Sequence, residues 1–445
     1  MKRILFHCFD GIDKESPTAL KEFSKSLSTI GIESIFAHSP SRLELAMVPT
    51  LELLAFSPTA AWIAPKKIKN EPNLRERQLQ WGGDHFSSKA SLVNAEAVKG
   101  FYRDMVMWLG IGHVILWNGY HPHDEIFKEV LRDLNVPWSW MERGPFKGSY
   151  LFDREGILAE SAWAKGLRST IENLKLDTIR VEAFMEAVKK TGSWHPQPSE
   201  ESNPYSRERG NLILFAGQVQ ADTQCFRFSK FGHPKEGFKE FLRLLNTSSR
   251  AEHLFIVGKH HPTDTTPLRV YQDILDASGL RGEWTDKYSM DTLLRQCPHV
   301  CSVNSGASFD ALLYRSIPAV LGEHPLSSEG LIESLISRDS VDRWLDADPE
   351  TQSYTQFRIR LVAGICRGLV TFSSEYGDLF LSDKEVIEYF RKLPISAPSL
   401  KQFHNPLESM NEMIELVRVS QRPIFRLLRQ VRAKALNLIL RQNIE

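Results

Sequence analysis

The sequence has few cysteines, and their spacing does not suit a metal site. Cys8, Cys225, Cys297, Cys301 and Cys366 form an odd set, and no two of them have the CxxC spacing of a zinc site. Thiols of this kind in intracellular proteins are usually reduced. The sequence therefore implies no disulfide framework, and it predicts neither a metal nor another cofactor.

The sequence also lacks an excess of charge and a long hydrophobic run near its start. Lys and Arg together number 55, as do Asp and Glu, so the net charge gives no global attraction to nucleic acid. Residues 1–7 enter a short strand-like run instead of the long apolar stretch of a signal peptide or membrane span. These absences predict a cytoplasmic protein that does not bind nucleic acid.

What is present is typical of a globular protein with two domains. The 445 residues are too many for one compact core, and 42% apolar with 25% charged residues is an ordinary composition. Short apolar runs suited to buried parallel strands alternate with helical patterns, which predicts an α/β fold. In the first half the strands are predicted at residues 4–9, 32–37, 60–64, 113–117 and 138–141.

A segment rich in Pro, Ser and charged residues separates the two halves and predicts an interdomain linker. After it the alternation resumes, with strands predicted at residues 212–216, 254–257, 299–303 and 319–321. We therefore predict two Rossmann-like domains with a cleft between them, followed by a helical C-terminal segment. The predicted bounds are 1–192 for the first domain, 193–210 for the linker, 211–345 for the second domain and 346–445 for the helices.

The last segment has the pattern of a basic amphipathic helix. Arg422, Arg426, Arg429 and Arg432 fall on one face, and apolar residues fall on the opposite face. Two interpretations are open: the helix packs on the protein with its arginines in water, or the arginines bind anionic lipid headgroups. The second interpretation would place the protein peripherally at the inner face of the inner membrane.

Polar residues follow three predicted strands of the second half, and ligands of open α/β sheets bind at such strand ends. Gln218, Gln220 and Asp222 come after the strand that ends at residue 216. Lys259 and His261, in the sequence Lys-His-His-Pro, come after the next strand. A fixed positive charge beside imidazole donors suits a phosphate.

The third strand end is a turn of small residues that contains Ser305 and Ser308. It precedes a helix predicted at residues 309–314, and the free amides at such a helix start can bind an anion. Either serine could instead be an ordinary N-cap. Asp346 and Asp348 match the Asp-x-Asp pattern of some metal-dependent sugar transferases, but they precede Pro349 in a solvated turn, so we expect no metal there.

In the first half, Glu142 follows the predicted strand at 138–141 and is the candidate acid or base. Asn118 and Tyr120 follow the strand at 113–117 in the same way. Asn118 could contact an acceptor sugar and Tyr120 could stack on it, although a structural role is also open for both.

Three segments together resemble the capsule-synthesis family of bacterial β-Kdo glycosyltransferases, in order and spacing as well as content. They are Gln-Val-Gln-Ala-Asp at 218–222, Lys-His-His-Pro at 259–262, and Ser-Gly-Ala-Ser at 305–308 with Ala-Leu-Leu at 311–313 and Pro318. The resemblance implies a GT-B-like fold and the transfer of Kdo from CMP-Kdo to a glycan or glycolipid acceptor. Met-Glu-Arg-Gly at 141–144, extended by Asp153 and Gly156, matches the acceptor-side domain.

The resemblance also implies roles for individual residues. His261, Ser305 and Ser308 would hold the CMP moiety, with Gln218 and Gln220 beside it, and Lys259 would support the phosphate. Asp222 would be the nucleophile of a retaining reaction, and Glu142 would deprotonate the acceptor. A CMP-sugar leaves as a monophosphate ester, whose charge these groups can neutralise without a metal.

Two alternatives stay open at the level of the sequence. A sialyltransferase that uses CMP-sialic acid shares the nucleotide-binding motifs. A scaffold for glycan assembly could keep the fold without turnover, although the presence of both Glu142 and Asp222 argues against it.

Overall fold

The computed structural model describes residues 2–8, 23–38, 99–100, 102–103, 105–107, 109–120, 122–191, 198, 205, 208, 210–219, 222–371 and 375–395. The strand predicted at 60–64, most of the predicted linker, Gln220 and the basic segment with Arg422, Arg426, Arg429 and Arg432 lie outside these residues. The chain divides into two compact units, Met1–Glu142 with Asp383–Glu445, and Arg143–Ser382.

The described residues form strands that assemble into two six-stranded sheets. The strands are β1 (Lys2–Cys8), β2 (Ile32–His38), β3 (His113–Trp117), β4 (Trp138–Arg143), β5 (Ser149–Asp153), β6 (Leu212–Ala216), β7 (Phe255–Lys259), β8 (Arg281–Thr285), β9 (His299–Ser302), β10 (Ile317–Val320), β11 (Glu333–Ser334) and β12 (Val370–Thr371). The first sheet has the order β12-β5-β4-β3-β1-β2, and the second has the order β11-β10-β9-β6-β7-β8.

Helices connect the strands in the manner of a layered α/β fold. They are α1 (Pro122–Asp133), α2 (Ala162–Lys165), α3 (Leu167–Glu172), α4 (Thr178–Thr191), α5 (Thr223–Arg227), α6 (Pro234–Leu245), α7 (Leu268–Ala277), α8 (Met290–Leu294), α9 (Ala307–Leu313), α10 (Pro325–Ser328), α11 (Arg338–Asp346), α12 (Gln352–Arg367) and α13 (Asp383–Arg391). Residues 23–28 are also helical. In the part of the chain that is described, no helix has the length and apolar character needed to span a bilayer.

The first sheet is parallel through β2, β1, β3 and β4. The strand β3 is buried at every position, as the apolar run at 113–117 predicts for a strand covered on both faces. The pair β5 and β12 is antiparallel and was not predicted. The strand β12 corrects the expectation that the chain is helical throughout after residue 350; with two residues, it is too short to leave a periodic pattern.

The second sheet is parallel throughout and lies within the unit Arg143–Ser382. Helices cover both faces. One face packs Phe215 and Trp284 against the aromatic residues of α6 and α11, and the other packs Leu214 and Val300 against α8. The strand order is that of a Rossmann fold, which places the ends of β6, β7 and β9 side by side. The predicted α/β class with two Rossmann-like sheets is therefore confirmed.

Residues 143–191, which the sequence pattern places in the first domain, are grouped with the second sheet. The physical reason is a shared apolar core. Phe184 of α4 belongs to the same buried cluster as Leu312 of α9 and Ile365 of α12, and Trp163 packs against this cluster. Packing of this kind, and not chain order, decides that the boundary between the units falls after Glu142.

Candidate active site

Asp222 lies at the end of the segment that leaves β6, and its half-buried carboxylate caps the short helix α5. Its Oδ1 atom accepts a hydrogen bond of 2.9 Å from the backbone amide of Gln224. Its Oδ2 atom accepts one of 3.1 Å from Nε2 of Gln218. The two hydrogen bonds fix the orientation of the carboxylate.

Gln218, predicted as a donor-binding residue, is 3% exposed and pairs with Asn304. Its Nε2 donates to Oδ1 of Asn304 over 3.0 Å, and its Oε1 accepts from the backbone amide of Asn304 over 3.1 Å. Asn304 in turn donates from Nδ2 to the carbonyl of Gln224 over 2.8 Å. The ends of β6 and β9 are thus joined by side-chain hydrogen bonds.

Lys259 is the last residue of β7, whereas the sequence predicts that it follows the strand. The correction arises because this strand starts and ends later than its apolar run. The side chain is 3% exposed, and its Nζ lies 3.4 Å from the carbonyl oxygen of Asp286, a weak contact. Burial lowers the pKa of Lys259, an effect that the charge of Asp286 opposes. Within the described residues this buried ammonium forms no ion pair.

Register places Lys259 and Ser302, whose hydroxyl contacts the serine turn, on the same face of the sheet. Ala216 of β6 is opposite Lys259 on one side and Ser302 on the other, and residues opposite each other in a sheet share a face. The hydroxyl of Ser302 accepts from the amide of Ser305 over 3.0 Å and lies 3.4 Å from that of Ser308. The small side chain of Ala216 therefore lies between a cation and a group of hydroxyls.

The serine turn differs in detail from the prediction. The helix α9 begins two residues before the predicted start at 309, so Ser308 is inside it and is 1% exposed. Gly306 is the N-cap residue, and the hydroxyl of Ser305 accepts from the amide of Ala307 over 3.3 Å. Ser302 was missed because it falls inside the strand predicted at 299–303, whereas the strand-end rule points to residues that follow a strand.

The two histidines of the Lys-His-His-Pro loop differ in their surroundings. His260 is buried, accepts at Nδ1 from the indole of Trp284 over 3.0 Å, and contacts the carbonyl of Asp264 through Nε2 at 3.1 Å. His261 is half-buried, and its Nδ1 accepts from the amide of Thr263 over 3.2 Å. The ring of His261 is thus oriented by the loop that follows β7.

Glu142 lies inside β4, which extends two residues beyond the prediction, and its carboxylate is half-buried. Its Oε2 atom accepts a hydrogen bond of 2.8 Å from Nδ2 of Asn118. Asn118 has φ of 62°, in the left-handed region, and its Oδ1 accepts from the amide of Tyr120. Asn118 therefore contacts Glu142, and Tyr120 is buried.

Asp153, which the resemblance adds on the acceptor side, is buried and accepts hydrogen bonds from four backbone amides. The donors are Glu155, Gly156, Ala162 and Trp163, at 2.8, 3.3, 3.1 and 3.0 Å. Its carboxylate joins the end of β5 to the start of α2 and so stabilises the local backbone.

The loop after β10 also reaches the end of β9, and it was not among the predicted candidates. A Cβ atom on Gly322 would lie 2.7 Å from the carbonyl oxygen of Phe228 and 3.3 Å from Nδ2 of Asn304. The amide of Glu323 donates to the same carbonyl over 2.7 Å. His324 is buried, and burial lowers its pKa to about 3. The strand-end rule would have found this loop if it had been applied to the fourth strand.

Other candidates have structural partners. Asp346 pairs with Arg250 at 3.1 Å, and no cluster of three or more metal-ligating side chains occurs among the described residues. Four cysteines are buried as free thiols, and burial raises their pKa values. A cavity of about 470 Å³ is lined by Pro318, Tyr354 and Phe357 among others, and by none of the proposed catalytic or donor-binding residues. The chemistry of the strand ends, and not this cavity, therefore locates the candidate site.

Comparison with known proteins supports part of this picture. Residues 181–363 match a family model described as Capsule polysaccharide biosynthesis protein. This range contains every motif of the second half, from Gln218 to Pro318, so the predicted resemblance to a capsule-synthesis family is confirmed over these motifs. No curated protein matches the chain.

Several solved structures are similar at low sequence identity. KpsC of Thermosulfurimonas dismutans, described as a beta Kdo 2,7 transferase, is 17% identical with a TM-score of 0.41, over 68% of this chain and 97% of that one. A second structure from the same organism, the KpsC beta Kdo 2,4 transferase, is 15% identical with a TM-score of 0.37, over 57% and 79%. The MnaA structure of S. aureus is 13% identical with a TM-score of 0.38, over 90% and 99%.

Proposed function

We propose that this chain is a retaining glycosyltransferase that moves Kdo from CMP-Kdo to a glycan or glycolipid acceptor in capsule or lipopolysaccharide synthesis. The family match over 181–363 supports a role in capsule polysaccharide synthesis. The observation that carries the choice of donor is the buried Lys259 on one side of Ala216, with the hydroxyls of Ser302, Ser305 and Ser308 on the other.

A buried ammonium without an ion pair is costly, and an anionic ligand would offset that cost. Adjacent strands are about 4.8 Å apart, so the backbones of β7 and β9, which flank β6, lie roughly 10 Å apart, and a phosphate beyond the end of β6 could be reached from both. Lys259 would supply charge, the serine hydroxyls would donate hydrogen bonds, and His261 would donate from the neighbouring loop. A single phosphate ester, as in a CMP-sugar, suits one cation better than a diphosphate does.

The chemistry would proceed in two balanced steps. A carboxylate oxygen of Asp222 attacks the anomeric carbon, the bond from that carbon to the phosphate oxygen breaks, and its electron pair leaves with CMP. The acceptor hydroxyl then attacks the same carbon, its proton passes to Glu142, and the bond to Asp222 breaks. Each substitution inverts the configuration, so the product retains that of the donor.

The donor assignment is tested by offering the protein CMP-Kdo and CMP-sialic acid in parallel and measuring CMP release. We expect release from CMP-Kdo in the presence of a glycan acceptor. Faster release from CMP-sialic acid would identify a sialyltransferase. No release of CMP from either donor would support the alternative of a glycan-assembly scaffold without turnover.

The donor-site assignment is tested separately by calorimetry with CMP. We expect His261→Ala to weaken CMP binding, because the imidazole is oriented at the end of β7. His253→Ala is the matched control, since that side chain is 70% exposed before the start of β7. Unchanged affinity in His261→Ala would remove the residue from the donor site.

A further inference from the structure

The proposed nucleophile, Asp222, belongs to a closed ring of hydrogen bonds. Asp222 accepts from Gln218, Gln218 pairs with Asn304, Asn304 donates to the carbonyl of Gln224, and the amide of Gln224 donates to Asp222. All distances lie between 2.8 and 3.1 Å. Gln218 and Asn304 are 3% and 6% exposed, so water competes little for these groups.

The donors in this ring are neutral. A neutral N–H orients a carboxylate without cancelling its charge, whereas a lysine or arginine partner would also lower its nucleophilicity. The Gln218 amide holds Oδ2, and the Gln224 amide holds Oδ1. These two hydrogen bonds thereby fix the plane of the carboxylate.

The ring also connects the carboxylate to the donor turn, because Asn304 directly precedes Ser305. The hydroxyl of Ser302, two residues before Asn304, accepts from the amide of Ser305. The backbone of Gly322 packs close to Asn304, since a Cβ atom on Gly322 would lie 3.3 Å from Nδ2 of Asn304. The end of β9 therefore supports both the carboxylate and the proposed phosphate site.

We infer that Gln218 and Asn304 are positioning residues that hold Asp222 at a fixed place relative to the Ser305–Ser308 turn, an inference that rests on the proposed role of Asp222. This reassigns Gln218 from donor contact to positioning. Both hydrogens of its amide are used by Asp222 and Asn304, and its oxygen accepts from Asn304. An error of about 1 Å in placing a reacting group can cost about 10²-fold in rate.

The test measures how fast the protein becomes covalently linked to Kdo when mixed with CMP-Kdo, by quenched-flow and intact-protein mass spectrometry. Gln218→Met keeps the length of the side chain and removes all its hydrogen bonds. We expect the rate of linkage to fall about 10²-fold, with CMP affinity unchanged. Gln218→Glu should be slower still, because its second oxygen would face Oδ2 of Asp222 and Oδ1 of Asn304.

The matched control is Ser229→Ala, which removes a hydrogen bond to the carbonyl of Cys225 in the same short helix without touching the ring. It should link at the normal rate, and the thermal midpoints of all variants show whether they fold. A normal rate in Gln218→Met would overturn the positioning role. So would a large loss of CMP affinity in Gln218→Met, which would restore Gln218 as a donor contact.

A double-mutant cycle separates this inference from the proposed function. In the Asp222→Ala background, Gln218→Met should cause no further loss of residual CMP release, because nothing remains to be positioned. An equal further loss would mean that Gln218 acts independently of Asp222 and would overturn the inference. If Asp222→Ala itself kept normal turnover, the proposed nucleophile would fail, and the positioning role would fail with it.

Discussion

Two half-buried carboxylates lie near strand ends of the two sheets, and they are held in different ways. Asp222 accepts hydrogen bonds from both a side chain and a backbone amide, within a ring that joins the ends of β6 and β9. Glu142 lies within β4 and accepts from Asn118, whose own backbone is in the left-handed region. The first arrangement depends on pairing between distant residues, and the second depends on a turn after a neighbouring strand.

The difference fits the different work proposed for the two groups. A nucleophile must keep one oxygen aligned with the anomeric carbon while a bond forms, so a rigid surrounding lowers the barrier. A general base only needs to reach the acceptor proton, and it tolerates more than one acceptor position. We therefore expect substitutions around Asp222 to cost more than substitutions around Glu142.

The largest effect should come from Asp222→Ala. Removal of a nucleophile leaves only the rate supplied by binding and electrostatics, so turnover should fall by about 10³-fold or more. CMP affinity should stay the same, since Lys259 and the serine turn are intact. Intact-protein mass spectrometry should show one Kdo on the wild-type protein, located on Asp222, and none on the variant. A Kdo adduct on Glu142 would reverse the two roles.

Glu142→Gln should have the next largest effect. General base catalysis contributes about 10²- to 10⁴-fold, and the amide keeps the shape of the carboxylate while losing the ability to accept a proton. The first step should continue, so the Kdo adduct on Asp222 should accumulate. The measurement is the amount of adduct at a fixed time after mixing with CMP-Kdo and acceptor. Less adduct than in the wild type would show that Glu142 acts in the first step.

Lys259→Met should separate binding from stability. Loss of a hydrogen bond to a charged group costs about 1.5 to 3 kcal/mol, so CMP should bind roughly 10- to 100-fold more weakly in calorimetry. The free protein should gain stability, because the substitution removes a buried charge that lacks an ion pair among the described residues.

The pH dependence of stability checks the same lysine. The folded state lowers the pKa of Lys259 below that of an unfolded lysine, so between these two values the unfolded chain binds more protons. Stability of the wild type should therefore rise with pH across that window, and the thermal midpoint of Lys259→Met should lack this increase. The opposite slope would mean that the ammonium is stabilised in the folded protein.

The fold could be predicted where burial leaves a simple pattern. The apolar runs at 113–117 and 212–216 coincide with β3 and β6, because strands covered on both faces need apolar side chains throughout. The strand β8 was missed because Arg281 and Glu283 interrupt the pattern at a sheet edge, where water solvates one side. Whether such a segment becomes an edge strand depends on its pairing with the neighbouring strand, here β7, and its own composition does not reveal this.

The candidate site could be predicted only as a set of strand ends. The sequence indicates that Asp222, Lys259 and Ser305 lie at or after the ends of strands that become neighbours, and the order of the second sheet agrees. It does not show that Gln218 pairs with Asn304, because that contact joins residues 86 positions apart. Nor does it show that Ser302 and Lys259 share a face, which depends on register.

The smallest effect should come from the hydrogen bond between Asn118 and Glu142. Asn118→Gly tolerates φ of 62° and removes both the donor to Glu142 and the acceptor of the weaker hydrogen bond from the Tyr120 amide. Asn118→Ala removes the same two contacts and adds a left-handed backbone cost of about 1 to 2 kcal/mol. We expect Asn118→Gly to lower turnover by about 10-fold, which is the size of one such hydrogen bond. Asn118→Ala should lower turnover similarly and also lower the thermal midpoint.

Because the ring around Asp222 fixes the position of its carboxylate through several contacts, Gln218→Met should lower turnover more than Asn118→Gly does when the two variants are assayed side by side. Equal losses would show that Glu142 needs Asn118 as much as Asp222 needs the ring, and the proposed division between a rigid nucleophile and an adaptable base would not hold.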